Sequence, residues 1–356
     1  MENICFILPH ISRAPVGGYK MVFEYANRLA CDGNKVQLLF MNDDALKQYH
    51  LPEFIRVSLS NLETKVEPRW FHLDSSIKKI SSNDKKWIKS VAHTDVVIAT
   101  NVESVPILEK IFRSQEIKKA YFIQDYENWN VGDEVVRSTY ALGYINIVVS
   151  EWLQEVVDKY SKKPSILIKN PIDLNVYKII VPVTDRKEHT VSVLYHENDY
   201  KGVKYALEAL NLLHDFYPDL EVYMFGVFDY KKDIPWIHYK QRASQQQTVD
   251  IYNKTRVFLC ATIEEGYGLT GLEAMACGNV LISTNYQGVR EYAKDGYNAL
   301  LSPVKDVDAL VENVKRVFED NELSQRLVKN GQESMKNFSW DEAYKKFEKA
   351  IIDNTK

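Results

Sequence analysis

Glu265 and Glu273 stand eight residues apart and bracket Gly266 and Gly268. Glycines at the start of a helix leave bare backbone N–H groups at its positive end, an arrangement that binds phosphate. A carboxylate beside such a site repels phosphate, so both glutamates read as acceptors for sugar hydroxyls rather than as phosphate ligands. Lys201 precedes Gly202 where a helix follows a strand, a place from which a cation reaches a diphosphate. Gln124, Asp125 and Glu127 emerge at the end of the apolar run Ala120 to Ile123, at the edge where open α/β sheets carry ligand groups. Gly17 and Gly18 lie ahead of another helical pattern, where the plain alternative is a tight turn. Other chemistries find no residues. There is no GxxxxGK[ST], no GxSxG and no His or Cys pair at metal-ligand spacing, and Asp306 and Asp308 read as helix-capping residues.

The elements that position these residues are βαβ units. Val257 to Ala261 and Val280 to Ser283 are continuous apolar runs, as buried parallel strands are. Between them Leu269, Leu272, Ala274, Met275 and Ala276 form a helix, which Gly278 stops. Ile4 to Leu8 is a first strand, and a loop runs from Pro9 to Gly18. Met21, Val22, Tyr25, Ala26, Leu29 and Ala30 then recur at helical spacing before Gly33 and a strand from Val36. Gly266, Gly268 and Gly271 also match the dinucleotide fingerprint GxGxxG. The next strand ends on Thr284 and Asn285 instead of the acidic residue that motif requires, and Glu265 would crowd a pyrophosphate.

A chain of 356 residues, 45% of them hydrophobic, can bury two cores. Its net charge of −4 gives no pull towards nucleic acid. Cys5, Cys31, Cys260 and Cys277 form no CxxC pair and mostly sit in apolar runs, which points to reduced thiols and a cytoplasmic compartment. The apolar run Ile4 to Leu8 is too short for a signal peptide, and no stretch reaches membrane-spanning length. Residues 65–92 interleave aromatic and basic side chains, seven Lys and Arg against three Asp and Glu. That patch is either a solvated face or contact with an anionic membrane surface from the inner side of the cell membrane.

The run Glu265, Gly266, Tyr267, Gly268, Leu269, then Glu273, Ala274, Met275, Ala276 and Gly278, closely resembles the signature of family 4 glycosyltransferases. The resemblance touches both halves of the chain. It implies a GT-B fold, α/β, with two Rossmann-like doubly wound domains facing each other across a cleft. It divides the chain into residues 1–175 on the acceptor side, 185–337 for the donor, and a helix over 338–356 that crosses back. In that family the first Glu contacts the donor sugar, the glycine turn holds the diphosphate and the second Glu binds the ribose. By the same likeness Gly17 and Gly18 touch the diphosphate from the other domain, and Lys201 is its cation. The implied activity is transfer of a sugar from a nucleotide diphosphate sugar to a glycan or lipid-linked acceptor in surface polysaccharide or glycoconjugate synthesis. No metal or other cofactor is expected.

Two positions depart from the family pattern. His196 replaces an Arg, so a second positive charge on the leaving diphosphate is missing or pH-dependent. Gln124 stands where many members have a His, ahead of the matching Asp125. The run Tyr121 to Glu127 instead resembles bacterial rhamnosyltransferases. The family implies retention of anomeric configuration, whereas the rhamnosyl likeness would mean inversion, with Asp125 the first candidate base and Glu127 the second. Two other readings stay open: a nucleotide-sugar epimerase on the same fold, and a non-catalytic partner subunit that has lost charge at His196.

Overall fold

The computed structural model describes residues 1–42, 50–113 and 116–352. The last residues of the expected 338–356 helix therefore lie outside the described residues. The chain divides into two compact units, Met1–Lys169 with Asp341–Lys356, and Asn170–Trp340.

In the first unit seven parallel strands form one sheet: β1 (Asn3–Leu8), β2 (Lys35–Phe40), β3 (Lys78–Ser81), β4 (Val96–Ala99), β5 (Lys118–Ile123), β6 (Ile145–Val148) and β7 (Ile166–Leu167). Their order is β3-β2-β1-β4-β5-β6-β7. The apolar runs read as strands are the buried ones: Ile4 to Leu8 and Val96 to Ala99 are closed to solvent, as a parallel sheet covered on both faces requires. The helix Trp340–Ile352 packs on this sheet through Phe347, whose ring stacks 4.1 Å from Tyr25 and lies 5.6 Å from Phe122.

The second unit holds β8 (Thr190–Tyr195), β9 (Glu221–Gly226), β10 (Ile237–Gln241), β11 (Val257–Cys260), β12 (Val280–Thr284) and β13 (Ala299–Ser302). They are parallel, in the order β10-β9-β8-β11-β12-β13. In both sheets the order reverses beside the first strand, between β1 and β4 and between β8 and β11. Loops leaving the carboxyl ends of two such strands diverge and open a crevice.

The division falls after Lys169, ahead of the expected limit at 175. Asn170 O accepts the Tyr267 hydroxyl and Ile172 N–H donates to Phe338 O, so residues 170–172 are built into the second unit. The glycine pair differs from expectation too: Gly17 and Gly18 open the helix Gly17–Cys31 rather than closing the loop before it. Residues 65–92 are only partly a surface patch. The Trp70 indole donates to Ser12 O at 3.0 Å, Phe71 packs 5.4 Å from Phe23, and the Lys79 ammonium is held by Lys65 O and Glu67 O. Among the described residues no helix is long and apolar enough to cross a membrane.

Candidate functional site

β8 and β11 are adjacent and parallel, with Val191 opposite Val257 and Ser192 opposite Phe258. Each is followed by a turn and a helix, Val203–Phe216 after β8 and Leu269–Ala276 after β11, so both helices begin at one sheet edge. The two turns are bound together. Ile263 N–H donates to Tyr200 O at 2.8 Å, and Gly202, at φ +61°, lies so close to the β11 turn that a Cβ would sit 1.9 Å from Ala261 O.

This packing brings Lys201 to Glu265. Their charged ends are 2.6 Å apart, with side chains 13% and 23% exposed. Burial alone lowers the Lys201 pKa, but the Glu265 carboxylate and its hydrogen bond outweigh that, and the ammonium is held above the usual lysine range. The site therefore offers one buried cation, paired with Glu265, ahead of one helix and beside the turn that starts another.

His196, on the same turn, adds no charge. Burial, then the Lys201 ammonium, push its pKa down to about 4 against the opposing pull of Glu265. Its Nδ1 accepts Asn198 N–H at 3.1 Å, which leaves the proton of the neutral ring on Nε2. The second cation considered for this position is absent near neutral pH.

The Glu265–Leu269 turn is held from behind by tyrosines. Gly268 has φ +91°, and a Cβ there would lie 2.0 Å from the Tyr286 hydroxyl. The Tyr292 hydroxyl donates to Gly268 O at 2.7 Å. Gly266 and Gly268 are buried and Leu269 is half-buried. Tyr267 points inward to Asn170 O at 3.1 Å, so its phenol is an anchor and only its backbone can meet a ligand. Glu273 is the fifth residue of its helix; it is buried, with the Tyr252 hydroxyl 3.5 Å from its Oε2.

The remaining predicted residues belong to the first unit. Gly17 and Gly18 start a 15-residue helix with no side-chain cap, and Gly17 is exposed. The Gln124 amide donates to Gly18 O at 3.2 Å, so Gln124 braces this helix start. Asp125 follows β5, and its Oδ1 accepts Tyr126 N–H at 2.8 Å. Glu127 accepts Val102 N–H at 2.6 Å. Its pKa is pushed up to about 8, first by burial and then, against that hydrogen bond, by Asp125 and Glu103. It is mostly protonated at neutral pH, a poor base there.

Sequence reasoning missed Tyr252, Tyr286 and Tyr292, which lie outside the motif and carry no pattern of their own. It also missed the bracing role of Gln124. Among the described residues no group of three or more His, Cys, Asp or Glu could hold a metal ion. Cys5 and Cys277 are buried, Cys31 is exposed, and all four cysteines are unbridged.

Residues 183–334, which carry this turn-and-lysine arrangement, match the family model described as glycosyl transferases group 1. That match covers 152 of the 356 residues. An uncharacterized glycosyltransferase of Methanocaldococcus jannaschii is 26% identical over 211 residues, 55% of each chain. A phosphatidyl-myo-inositol mannosyltransferase of Mycolicibacterium smegmatis is 24% identical over 160 residues, 41% of this chain and 40% of that one. The chain spans about half the length of the curated relatives it matches, or less. Among solved structures, sucrose-phosphate synthase from Thermosynechococcus elongatus covers 98% of this chain and 97% of its own, at TM-score 0.78 and 15% identity. Anabaena HepE in complex with UDP and glucose covers 98% of both chains, at TM-score 0.75 and 14% identity. The chain thus has the GT-B fold, built of two Rossmann-like domains.

Proposed function

We propose that this protein transfers a sugar from a nucleoside diphosphate sugar to a hydroxyl of a glycan or lipid-linked acceptor, without a metal and with retention of configuration. The observation that carries the reading is the Lys201–Glu265 pair at the start of two helices on the β8/β11 edge. As the bond from sugar to phosphate breaks, negative charge grows on the diphosphate. A pre-placed ammonium and helix N-termini stabilise that charge without rearrangement. Glu265 orients Lys201 and accepts a hydroxyl of the donor sugar, while Glu273 accepts the ribose hydroxyls. The solved complexes of Anabaena HepE, which hold UDP-glucose or UDP with glucose, supply the donor class by analogy.

The test is a panel of nucleotide sugars with excess chelator, with NMR of donor and product anomers. Slow release of free sugar and nucleotide without acceptor, and a product anomer that matches the donor, are expected. Loss of turnover in chelator with rescue by Mg²⁺ or Mn²⁺ removes the metal-free route. An inverted product removes the retaining one and, if Asp125→Asn lowers turnover by roughly 10² to 10⁴ without moving donor affinity, makes Asp125 the base. Interconverted donors mean an epimerase.

A further inference from the structure

In the first unit, the chain between the helix Glu53–Val66 and β3 curls round a cavity of about 520 Å³, within the range of small-ligand sites. It is lined by residues between Pro68 and Lys79, and none of Gly17, Gly18, Gln124 or Asp125 is among them. Its walls are held from behind. The Asn27 side chain donates to His72 O at 2.8 Å and accepts Asp74 N–H at 2.8 Å. The Trp70 indole is tied to Ser12 O, and the Trp70 and Phe71 rings both rest on Phe23. These two lining rings are half-buried, 5.8 Å apart and inclined at 69°. The charges on the wall are unevenly engaged. Asp74 is occupied, since its Oδ1 accepts both the N–H and the hydroxyl of Ser76. The half-buried Lys79 ammonium spends two of its three N–H groups on Lys65 O and Glu67 O, and among the described residues no carboxylate forms an ion pair with it. Burial lowers its pKa against the pull of Glu67, so the cation is short of compensation. Arg69 is 76% exposed and meets Glu67 only loosely, with Nε 3.7 Å from Oε1, which leaves the terminal nitrogens of its fork for another anion.

We infer that this cavity binds an anionic saccharide, a sugar that carries a phosphate or a carboxylate. The cations select the anion: Lys79 lacks a counter-ion within the wall, and the Arg69 fork matches the geometry of either group. The rings select the sugar. The apolar face of a pyranose packs on Trp70 and Phe71, while its hydroxyls meet Ser75 and His72, both exposed on the same wall. Part of the aromatic and basic patch over 65–92 is thereby a ligand cavity rather than a flat surface. The inference does not rest on the transferase reading, whose donor residues belong to the second unit.

The experiment is isothermal titration calorimetry of the full chain with glucose 6-phosphate and with glucuronate, against glucose and inorganic phosphate. Both anionic sugars are expected to bind more tightly than either control, and less tightly at high salt. Lys79→Met should weaken that binding on the order of tenfold to a hundredfold, the scale for hydrogen bonds to a charged group. Because this change also removes two hydrogen bonds within the segment, Arg69→Gln is the second variant. Its circular dichroism and melting temperature should match the parent, as the side chain is exposed, while affinity falls by roughly tenfold. Lys201→Met should bind both sugars as the parent does. Absence of binding, glucose or inorganic phosphate binding as tightly as the anionic sugars, or unchanged affinity in Arg69→Gln overturns the inference. Loss of binding in Lys201→Met overturns it too, because the ligand would then sit at the β8/β11 turn.

Discussion

Replacing Lys201 by Met tests whether the buried pair is one electrostatic unit and whether its cation serves turnover. At 2.6 Å and an effective dielectric of about 20, the two charges attract by about 6 kcal/mol. Removing each ion from water costs several kcal/mol, so the intact pair contributes little net stability. The single change is costly for another reason: it strands the Glu265 carboxylate. A fully buried stranded charge costs about 3–5 kcal/mol, but Glu265 keeps 23% of its side chain in water, so about 2 kcal/mol is expected. Lys201→Met with Glu265→Gln removes the stranded charge and should return to within about 1 kcal/mol of the parent. Turnover behaves differently. It should fall by roughly 10² to 10³ in both variants, the scale for losing one preorganised stabiliser of developing charge. Urea unfolding followed by tryptophan fluorescence, with donor turnover on the same preparations, measures both. The reasoning fails if the double variant is no more stable than Lys201→Met, or if either retains parental turnover.

Gly268→Ala places a Cβ 2.0 Å from the Tyr286 hydroxyl at φ +91°. The left-handed backbone and the overpacking together should cost about 3 kcal/mol in thermal or urea unfolding; adding Tyr286→Phe should recover the steric share only, and full recovery would show that the backbone is unstrained. His196 has a folded pKa of about 4, below its ordinary 6.5. The unfolded chain therefore takes up the proton first, and this residue's contribution to stability is complete above pH 6.5 and declines as pH falls towards 4. His196→Phe should flatten the stability profile of the free protein across that window, and an unchanged slope refutes the buried neutral imidazole. Glu273→Ala should weaken nucleotide binding by about 1.5–3 kcal/mol in calorimetry, the range for hydrogen bonds to a charged group; unchanged affinity removes Glu273 from the ribose.

The sequence by itself determined the local elements and the candidate chemistry of this protein. Continuous apolar runs specify buried parallel strands at β11 and β12, and the glycine turn between them specifies a helix start, because strand burial and helix initiation are set by neighbours in the chain. The Glu265 to Gly278 signature pointed to the family from the same local residues. Tertiary structure decided what meets what. Lys201 and Glu265 are 64 positions apart by numbering, and only the pairing of β8 with β11 makes them partners. Burial decided the charge states, holding His196 neutral and Glu127 protonated, since desolvation depends on everything packed around a group. It also decided the orientation of the helix Glu53–Val66. Periodicity defines two faces of a helix but not which one turns inward, and here the Asn42 and Asn83 hydrogen bonds turned the polar face to the core.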